Sequence, residues 1–158
     1  MALASETDVI GTNALRADGT PYFDPGPGVT RPTRAAVLRD NPLIISTVLA
    51  SRRLIQEAGG FLTQRWARGV ADYGIWLALA DRGARFAIVD EPLARYESRS
   101  EDRMSAAPVR QELAVARLVW RRARLNPGDP LLRRAALNRT FGVLELAWDR
   151  RRSRLTGR

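Results

Sequence analysis

Apolar and polar residues follow two different periods along this chain of 158 residues. In its first two thirds, short β-prone runs at 8–11, 43–49 and 85–89 predict strands, with another short strand at 93–96 after a break at 90–92. The run 43–49 is continuous and β-branched, which is typical of a strand buried on both faces. Helical segments are predicted between the strands, so the pattern indicates an α/β fold.

Caps and glycines mark the ends of the short helices in this first part. Thr33 is placed to cap one short helix, and Ser51 is placed to cap another over 52–58. Gly59 and Gly60 follow directly, and glycine enters the left-handed backbone conformation without strain. We therefore expect the second helix to end in a tight glycine turn.

The best helical pattern of the first part opens at Asp72. Asp81 and Arg82 occupy its polar side before Gly83 ends it. Apolar residues recur at helical spacing on one face: Ile75, Trp76, Leu79 and Ala80. The pattern predicts a half-buried helix whose N-terminus is accessible.

From residue 106 onward the apolar period is helical only. Asp129 is a preferred cap, and Pro130 then suits the first position of a helix. Two apolar stripes are predicted to be the packing faces: Val109, Leu113, Ala116 and Trp120, then Leu137, Phe141, Leu144 and Trp148. We therefore expect an α/β domain at 1–105 and an amphipathic helical hairpin at 106–158.

The amino-acid composition excludes several kinds of chemistry. The sequence contains no Cys and no His, which excludes a disulfide scaffold, a Cys/His zinc site, a thiol nucleophile and an imidazole base. All 26 basic residues are Arg, which also excludes Schiff-base chemistry. Carboxylates, hydroxyls and guanidinium groups remain for any reaction.

Positive charge is concentrated at the C-terminal end. Residues 1–102 hold 12 Arg and 13 acids, whereas residues 103–158 hold 14 Arg and 4 acids. One hypothesis is therefore a non-catalytic anion-binding module that docks on an anionic membrane surface or on nucleic acid. Nucleic acid is the less favoured partner, because no helix-turn-helix, RNA-recognition or OB signature accompanies the charge.

No apolar run approaches the ~20 residues that a membrane-spanning helix needs. The first residues also lack the basic and apolar regions of an export signal. We therefore expect a cytoplasmic protein, with a peripheral position at the inner membrane face as an option.

Three segments in a fixed order resemble a known family. They are 45–53, the Glu-Ala-Gly-Gly-Phe of 57–61, and 71–80 running into 90–96. Over roughly residues 5–105, this order and spacing is similar to the second half of the family 2 glycosyltransferases. The resemblance implies a partial GT-A (nucleotide-diphospho-sugar transferase-like) sheet with flanking helices, and inverting transfer of a sugar from a nucleotide sugar to a glycan or lipid-linked acceptor.

The resemblance implies that Asp72 fills the family's acidic position at the mouth of a helix. A carboxylate there takes the proton of the acceptor hydroxyl as its oxygen attacks the anomeric carbon, and the helix N-terminus favours the anion. The implied acceptor-binding residues are Gly59, Gly60, Phe61, Trp76 and Glu91. The residues alone leave open that Asp72 only caps the helix, Trp76 only fills the core, and Glu91 only forms a turn.

The sequence departs from the family where the donor and the metal bind. Complete members hold Mg²⁺ or Mn²⁺ against the donor diphosphate with an Asp-x-Asp motif, and this sequence has none. We therefore expect no metal site or cofactor in this chain; a complete enzyme would need the cation and the nucleotide-sugar donor. Residues 6–20 resemble the segment after that motif, so we expect a truncated form that is inactive or nearly so. Three explanations are open: the true coding sequence starts earlier, the gene is a remnant, or another chain supplies the missing half. Ala71 stands where the family usually has a second acid.

Overall fold

A computed structural model describes residues 6–24, 26, 28–96 and 108–156. Within these residues, 6–62 together with 71–96 form one compact unit, and 63–70 together with 108–156 form a second. The predicted boundary at 105/106 lies outside the described residues. The division differs from the prediction in one respect, since 63–70 joins the second unit.

The described part of the first unit contains a mixed four-stranded sheet in the order β2-β4-β1-β3. Its central strands, β1 (Val9–Arg16) and β4 (Phe86–Tyr96), run parallel. The edge strands, β2 (Val29–Thr30) and β3 (Leu49–Ala50), pair antiparallel with β4 and β1. The α/β class and the strands predicted at 8–11 and 85–89 are confirmed.

Three helices of this unit begin and end close to the predicted positions: α1 (Arg34–Arg39), α2 (Arg52–Glu57) and α3 (Ala71–Asp81). The Thr33 hydroxyl accepts a hydrogen bond from the Ala36 amide at 3.3 Å, which confirms the cap of α1. Ser51 precedes α2 but makes no side-chain cap, so that detail was wrong.

The predicted buried strand at 43–49 is wrong. Ile45–Thr47 form a 3₁₀ turn, and the strand β3 only begins at Leu49, which is 72 % exposed. The Thr47 hydroxyl donates to the carbonyl of Ile44 or of Thr12 and accepts from the Thr12 amide. Local bonding by a threonine hydroxyl competes with a strand ladder, and here it turns the chain alongside β1.

The predicted break at 90–92 is also absent, because β4 runs through Pro92. The edge strand β2 pairs only with Ile88 and Val89 of β4. The pairing of β1 with β4 shifts register on both sides of Asn13, whose partner is Pro92. Proline is tolerated in a strand at an open edge or an irregularity, and this one lies at both.

Helix α3 is buried all round rather than on one face. All eight residues from Tyr73 to Ala80 are buried, and the Tyr73 hydroxyl lies 2.8 Å from the Val37 carbonyl oxygen at the end of α1. Asp81 does not face water as expected, because the Arg34 guanidinium donates to its carboxylate at 2.7 Å. A helix that is apolar on every side indicates a core element.

The second unit contains α4 (Pro108–Leu125) and α5 (Pro130–Thr156) joined by a short turn. The Asp129 carboxylate accepts hydrogen bonds from the amides of Leu131 and Leu132, which confirms the predicted cap. Arg139 of α5 pairs with Glu112 of α4 at 3.5 Å. The two helices therefore form the predicted hairpin, to which residues 63–70 contribute a 3₁₀ turn at Arg65–Ala67.

The hairpin does not pack through all of the predicted stripes. The large side chains Leu113, Leu137, Phe141, Leu144 and Trp148 are 51–63 % exposed. The buried positions of the two helices are Ala114, Val115, Ala116, Leu118, Val119, Ala123, Leu132 and Ala136. Four of these eight are alanines, which let two helix backbones approach closely, and the others are Val115, Leu118, Val119 and Leu132. The large side chains that the stripes predicted to pack lie outside this buried face.

Candidate functional site

Asp72 is the second residue of α3, one position inside the helix rather than its cap. Its side chain is half-buried. One carboxylate oxygen, Oδ2, accepts a hydrogen bond from the Asn41 side-chain amide at 3.4 Å. Among the described residues this is the one donor to Asp72, so its other oxygen, Oδ1, remains available to a hydroxyl.

Asn41 was missed in the sequence analysis, and its own bonds aim it at Asp72. Its Oδ1 accepts from the Leu43 amide at 3.3 Å, and its backbone amide donates to the Asp40 carboxylate at 2.8 Å. With the oxygen held in this Asx turn, the NH₂ group points the other way. The Asn-Pro dipeptide signals the turn, but the turn alone does not reveal a partner that lies 31 positions further along.

Gly59 and Gly60 form the predicted turn at the end of α2. Their φ angles are +96° and +72°, a region that favours glycine over any residue with a Cβ. The Gly60 amide donates to the Ile55 carbonyl at 2.9 Å, which closes the helix end. The turn delivers Phe61 against Trp76, with the ring centroids 6.3 Å apart and the rings nearly perpendicular.

Trp76 connects Phe61 to the Asp72 region. It lies four residues after Asp72, and residues at that spacing share one face of a helix. The structure therefore brings Asp72, Trp76 and the Gly59-Gly60-Phe61 turn into one part of the first unit. Phe61 is 42 % exposed and offers the open aromatic surface of this group.

Trp76 itself lies in the core and is 1 % exposed. A side chain this buried presents no ring face on which a sugar could stack, so Trp76 occupies the core position that the sequence also allowed. Its indole N–H finds no acceptor within the residues that the structure describes. A buried donor without a partner costs about 1–3 kcal/mol.

Glu91 is not joined to this group by any contact of the described residues. It is an exposed residue of β4. Its neighbour Asp90 is held more firmly, because Oδ1 accepts from the Asn13 side-chain amide at 3.2 Å and Oδ2 from the Gly26 amide at 2.8 Å. Both oxygens of Asp90 are therefore engaged in holding the loop, as expected of a structural carboxylate.

Asn13 was a second residue missed in the sequence analysis. It is 2 % exposed and also bonds both the amide and the carbonyl of Phe23. These bonds frame a cavity of about 280 Å³ lined by Phe23, Ile88 and Asp90 among others. An asparagine in an apolar strand was the available signal, since a buried amide must find partners.

The second unit has a basic groove of about 680 Å³ lined by Trp66, Arg117, Trp120, Arg121, Arg124 and Leu125. The Arg117 guanidinium lies 4.7 Å above the Trp66 ring centroid, a cation–π geometry. No acid lines the groove within the part of the chain that the structure describes, so the groove suits an anionic group.

A divalent cation has no ligand set in the part of the chain that the structure describes, where no three Asp, Glu, His or Cys side chains cluster. Mg²⁺ and Mn²⁺ need several hard oxygen ligands, so the described residues do not fit the implied cation and we derive no step through it. A membrane-spanning segment needs about 20 apolar residues in one helix, and none of the described helices meets that requirement.

Comparisons with protein-family models, with curated proteins and with solved structures gave no match. The functional assignment therefore depends on the residues and their geometry.

Proposed function

We propose that this chain forms the acceptor-side part of an inverting glycosyltransferase with a partial GT-A sheet, in which Asp72 is the general base. The acceptor hydroxyl gives its proton to the Asp72 carboxylate while its oxygen bonds to the anomeric carbon of the sugar. The bond from that carbon to the donor diphosphate breaks at the same time, and a nucleoside diphosphate leaves.

The observation that supports this proposal is the presentation of Asp72. A general base must be ionised, fixed in direction and within hydrogen-bond reach of the proton it takes. Asp72 lies in the first turn of α3, and the Asn41 amide donates to one of its oxygens at 3.4 Å. Oδ1 has no donor among the described residues, so in this proposal it is the oxygen that takes the proton.

The aromatic pair Phe61–Trp76 supports an acceptor site in the same part of the first unit. Phe61 projects from the Gly59-Gly60 turn with 42 % of its surface exposed, and sugar rings pack well on open aromatic faces. The buried Trp76 ring holds the Phe61 ring in place through the edge-to-face contact. In this proposal Trp76 positions Phe61 rather than touching the sugar.

The substitution Asp72→Asn tests the base role. The amide keeps the size of the side chain but cannot accept the proton, so kcat should fall by about 10²-fold or more. The assay measures transfer of a labelled sugar from nucleotide sugars to glycan or lipid-linked acceptors, using a chain that includes any in-frame coding sequence upstream of Met1. Donor affinity should remain unchanged.

Glu57→Gln is the matched control. Glu57 is an exposed acid of α2 whose bond is to Arg53, four residues away, so the same chemical change there should leave kcat within about twofold. An Asp72→Asn enzyme that also stays within twofold of the unchanged chain would remove Asp72 from the base role.

A further inference from the structure

Helix α5 exposes a continuous apolar stripe in the second unit. Leu137, Phe141, Leu144 and Trp148 are 51 %, 63 %, 59 % and 62 % exposed. Their spacing of three and four residues places them on one face of the helix. That face lies about 150° around the helix from the buried Leu132 and about 110° from the buried Ala136, so the hairpin seam does not cover it.

Trp120 of α4 widens the stripe. Its indole N–H donates to the Thr140 hydroxyl at 2.9 Å, and Thr140 lies between Leu137 and Leu144 along the stripe. Trp120 is 36 % exposed. Contiguous exposed apolar surface of this kind marks an interaction site rather than ordinary surface.

Arginines precede and follow the stripe along the chain. Arg133 and Arg134 are exposed and stand one turn before Leu137, and helical spacing places them on its two opposite flanks. Residues 150–152 are three further arginines directly after Trp148 and Asp149. Across Pro130–Thr156 there are seven Arg against two acids, Glu145 and Asp149.

We infer that the α5 stripe docks on the surface of an anionic lipid bilayer. Phe141 and Trp148 enter the boundary between headgroups and acyl chains, and the flanking arginines contact the lipid phosphates. A helix with large apolar side chains on one face and basic residues beside them lies in the plane of such an interface. Tryptophan suits that depth because its ring is apolar and its N–H is polar.

The positive charge of α5 favours an anionic bilayer over a second copy of the chain, and its apolar stripe favours the bilayer over nucleic acid. A second copy of the chain would bring one set of arginines against another, which like-charge repulsion opposes. Nucleic acid would use the arginines but would leave Leu137, Phe141 and Leu144 in water. A bilayer with acidic headgroups satisfies both the apolar stripe and the arginines before and after it. The seven arginines of α5 outnumber the two acids, Glu145 and Asp149, that lie beside Leu144 and Trp148.

Vesicle binding by the full chain tests the inference. The measurement is co-sedimentation with vesicles of phosphatidylcholine alone and of phosphatidylcholine mixed with phosphatidylglycerol, at low and high NaCl. We expect at least about tenfold tighter binding to the acidic vesicles, with a loss at high salt. The double variant Phe141→Ser, Trp148→Ser should weaken binding about tenfold or more.

Leu131→Ser is the matched control, because Leu131 is 46 % exposed on α5 but lies about 110° from the stripe. Its binding should stay within about twofold, and circular dichroism should show that every variant is folded. The inference fails if the chain ignores acidic vesicles at low salt, or if the double variant binds them as well as the unchanged chain does. It also fails if the double variant instead abolishes a dimer seen by sedimentation velocity, or abolishes binding to a DNA oligonucleotide while vesicle binding persists.

Discussion

The Asn41 amide determines how the Asp72 carboxylate is presented. The Asn41 side-chain oxygen accepts a hydrogen bond from the Leu43 amide, and the Asn41 NH₂ group donates to Oδ2 of Asp72. Asp72 lies inside the helix rather than at its cap position. Among the described residues, Asn41 is therefore the side chain that holds the Asp72 carboxylate, and Asn41 lies outside the apolar pattern of the helix.

The unsatisfied N–H of Trp76 leads to a prediction about stability. Trp76→Phe removes a buried donor that has no acceptor among the described residues, which relieves about 1–3 kcal/mol. The smaller ring leaves a cavity of comparable cost, so the free energy of unfolding should change by less than about 1 kcal/mol. Denaturant unfolding followed by circular dichroism measures it.

Trp76→Ala is the comparison for that prediction. It removes the whole side chain from a position that is 1 % exposed, and such truncations cost about 3–5 kcal/mol. If Trp76→Phe lowered the free energy of unfolding as much as Trp76→Ala does, the indole N–H would have an acceptor, and our interpretation of it as an unsatisfied donor would be wrong.

At the scale of elements, Asp8 and Arg85 join the starts of the two central strands. The Arg85 side chain and backbone amide both donate to the Asp8 carboxylate, at 3.2 Å and 2.8 Å. The pKa of Asp8 is lowered below its ordinary value, and the largest cause is the hydrogen bond from the Arg85 guanidinium. Two backbone bonds join the same place, since the Asp8 and Val9 amides both donate to the Arg85 carbonyl. Together with the carboxylate bonds they fix where β1 begins against β4.

Asp8→Asn should therefore make stability less dependent on acid pH. A carboxyl whose pKa is lowered by folding stabilises the fold above its ordinary pKa of about 3.9, and this contribution is lost as the pH falls below that value. The Asp8 side chain is 28 % exposed, so the difference near neutral pH should be below about 1 kcal/mol. Unfolding of both proteins across the acid range measures it, and a difference that grows toward acid pH would contradict the assignment.

The two faces of α5 give opposite predictions for two apolar truncations. Leu132→Ala removes a side chain with 0 % exposure and should cost about 2–5 kcal/mol. Phe141→Ala removes a larger side chain that is 63 % exposed and should cost less than about 0.5 kcal/mol. Denaturant unfolding measures both losses in free energy. A larger loss for Phe141→Ala than for Leu132→Ala would mean that the predicted stripe, and not the Leu132 face, is the packing face of α5.

How much the sequence predicts depends on how local the determining contacts are. The Gly59-Gly60 turn and the Thr33 cap were predictable because a few neighbouring residues decide each one. The run 43–49 was not, since Thr47 bonds to Thr12, which is 35 residues away. Periodicity predicted both helices of the hairpin, but it selected their packing faces by the largest side chains, whereas the buried face combines alanines with Leu118, Val119 and Leu132.

The candidate site was predictable to a similar extent. Asp72 and the turn before Phe61 lie where the pattern placed them, because helix starts and glycine turns are local features. The Asn41 amide and the Asn13–Asp90 bond join residues that are 31 and 77 positions apart. Only the fold brings such pairs together, so the groups that orient the carboxylates could not be read from spacing.

At the scale of the whole molecule, the charge is divided unevenly along the chain. The net charge of +9 arises entirely after residue 102, where 14 Arg face 4 acids. Folding of the hairpin gathers the arginines of its described helices into one compact unit, and self-repulsion of this kind destabilises a compact state. At about 10 mM salt the repulsion reaches about 30 Å, whereas at about 0.1 M it is screened beyond about 10 Å.

We therefore expect NaCl to stabilise this protein. The thermal midpoint followed by circular dichroism should rise by a few degrees, roughly 2–6 °C, between about 10 mM and about 200 mM NaCl. The double variant Arg110→Gln, Arg121→Gln removes two exposed charges of α4, so its midpoint at low salt should be higher and its response to salt smaller. Salt also weakens ion pairs such as Arg139–Glu112 and Arg34–Asp81, and a midpoint that fell with salt would mean that these pairs outweigh the repulsion between arginines.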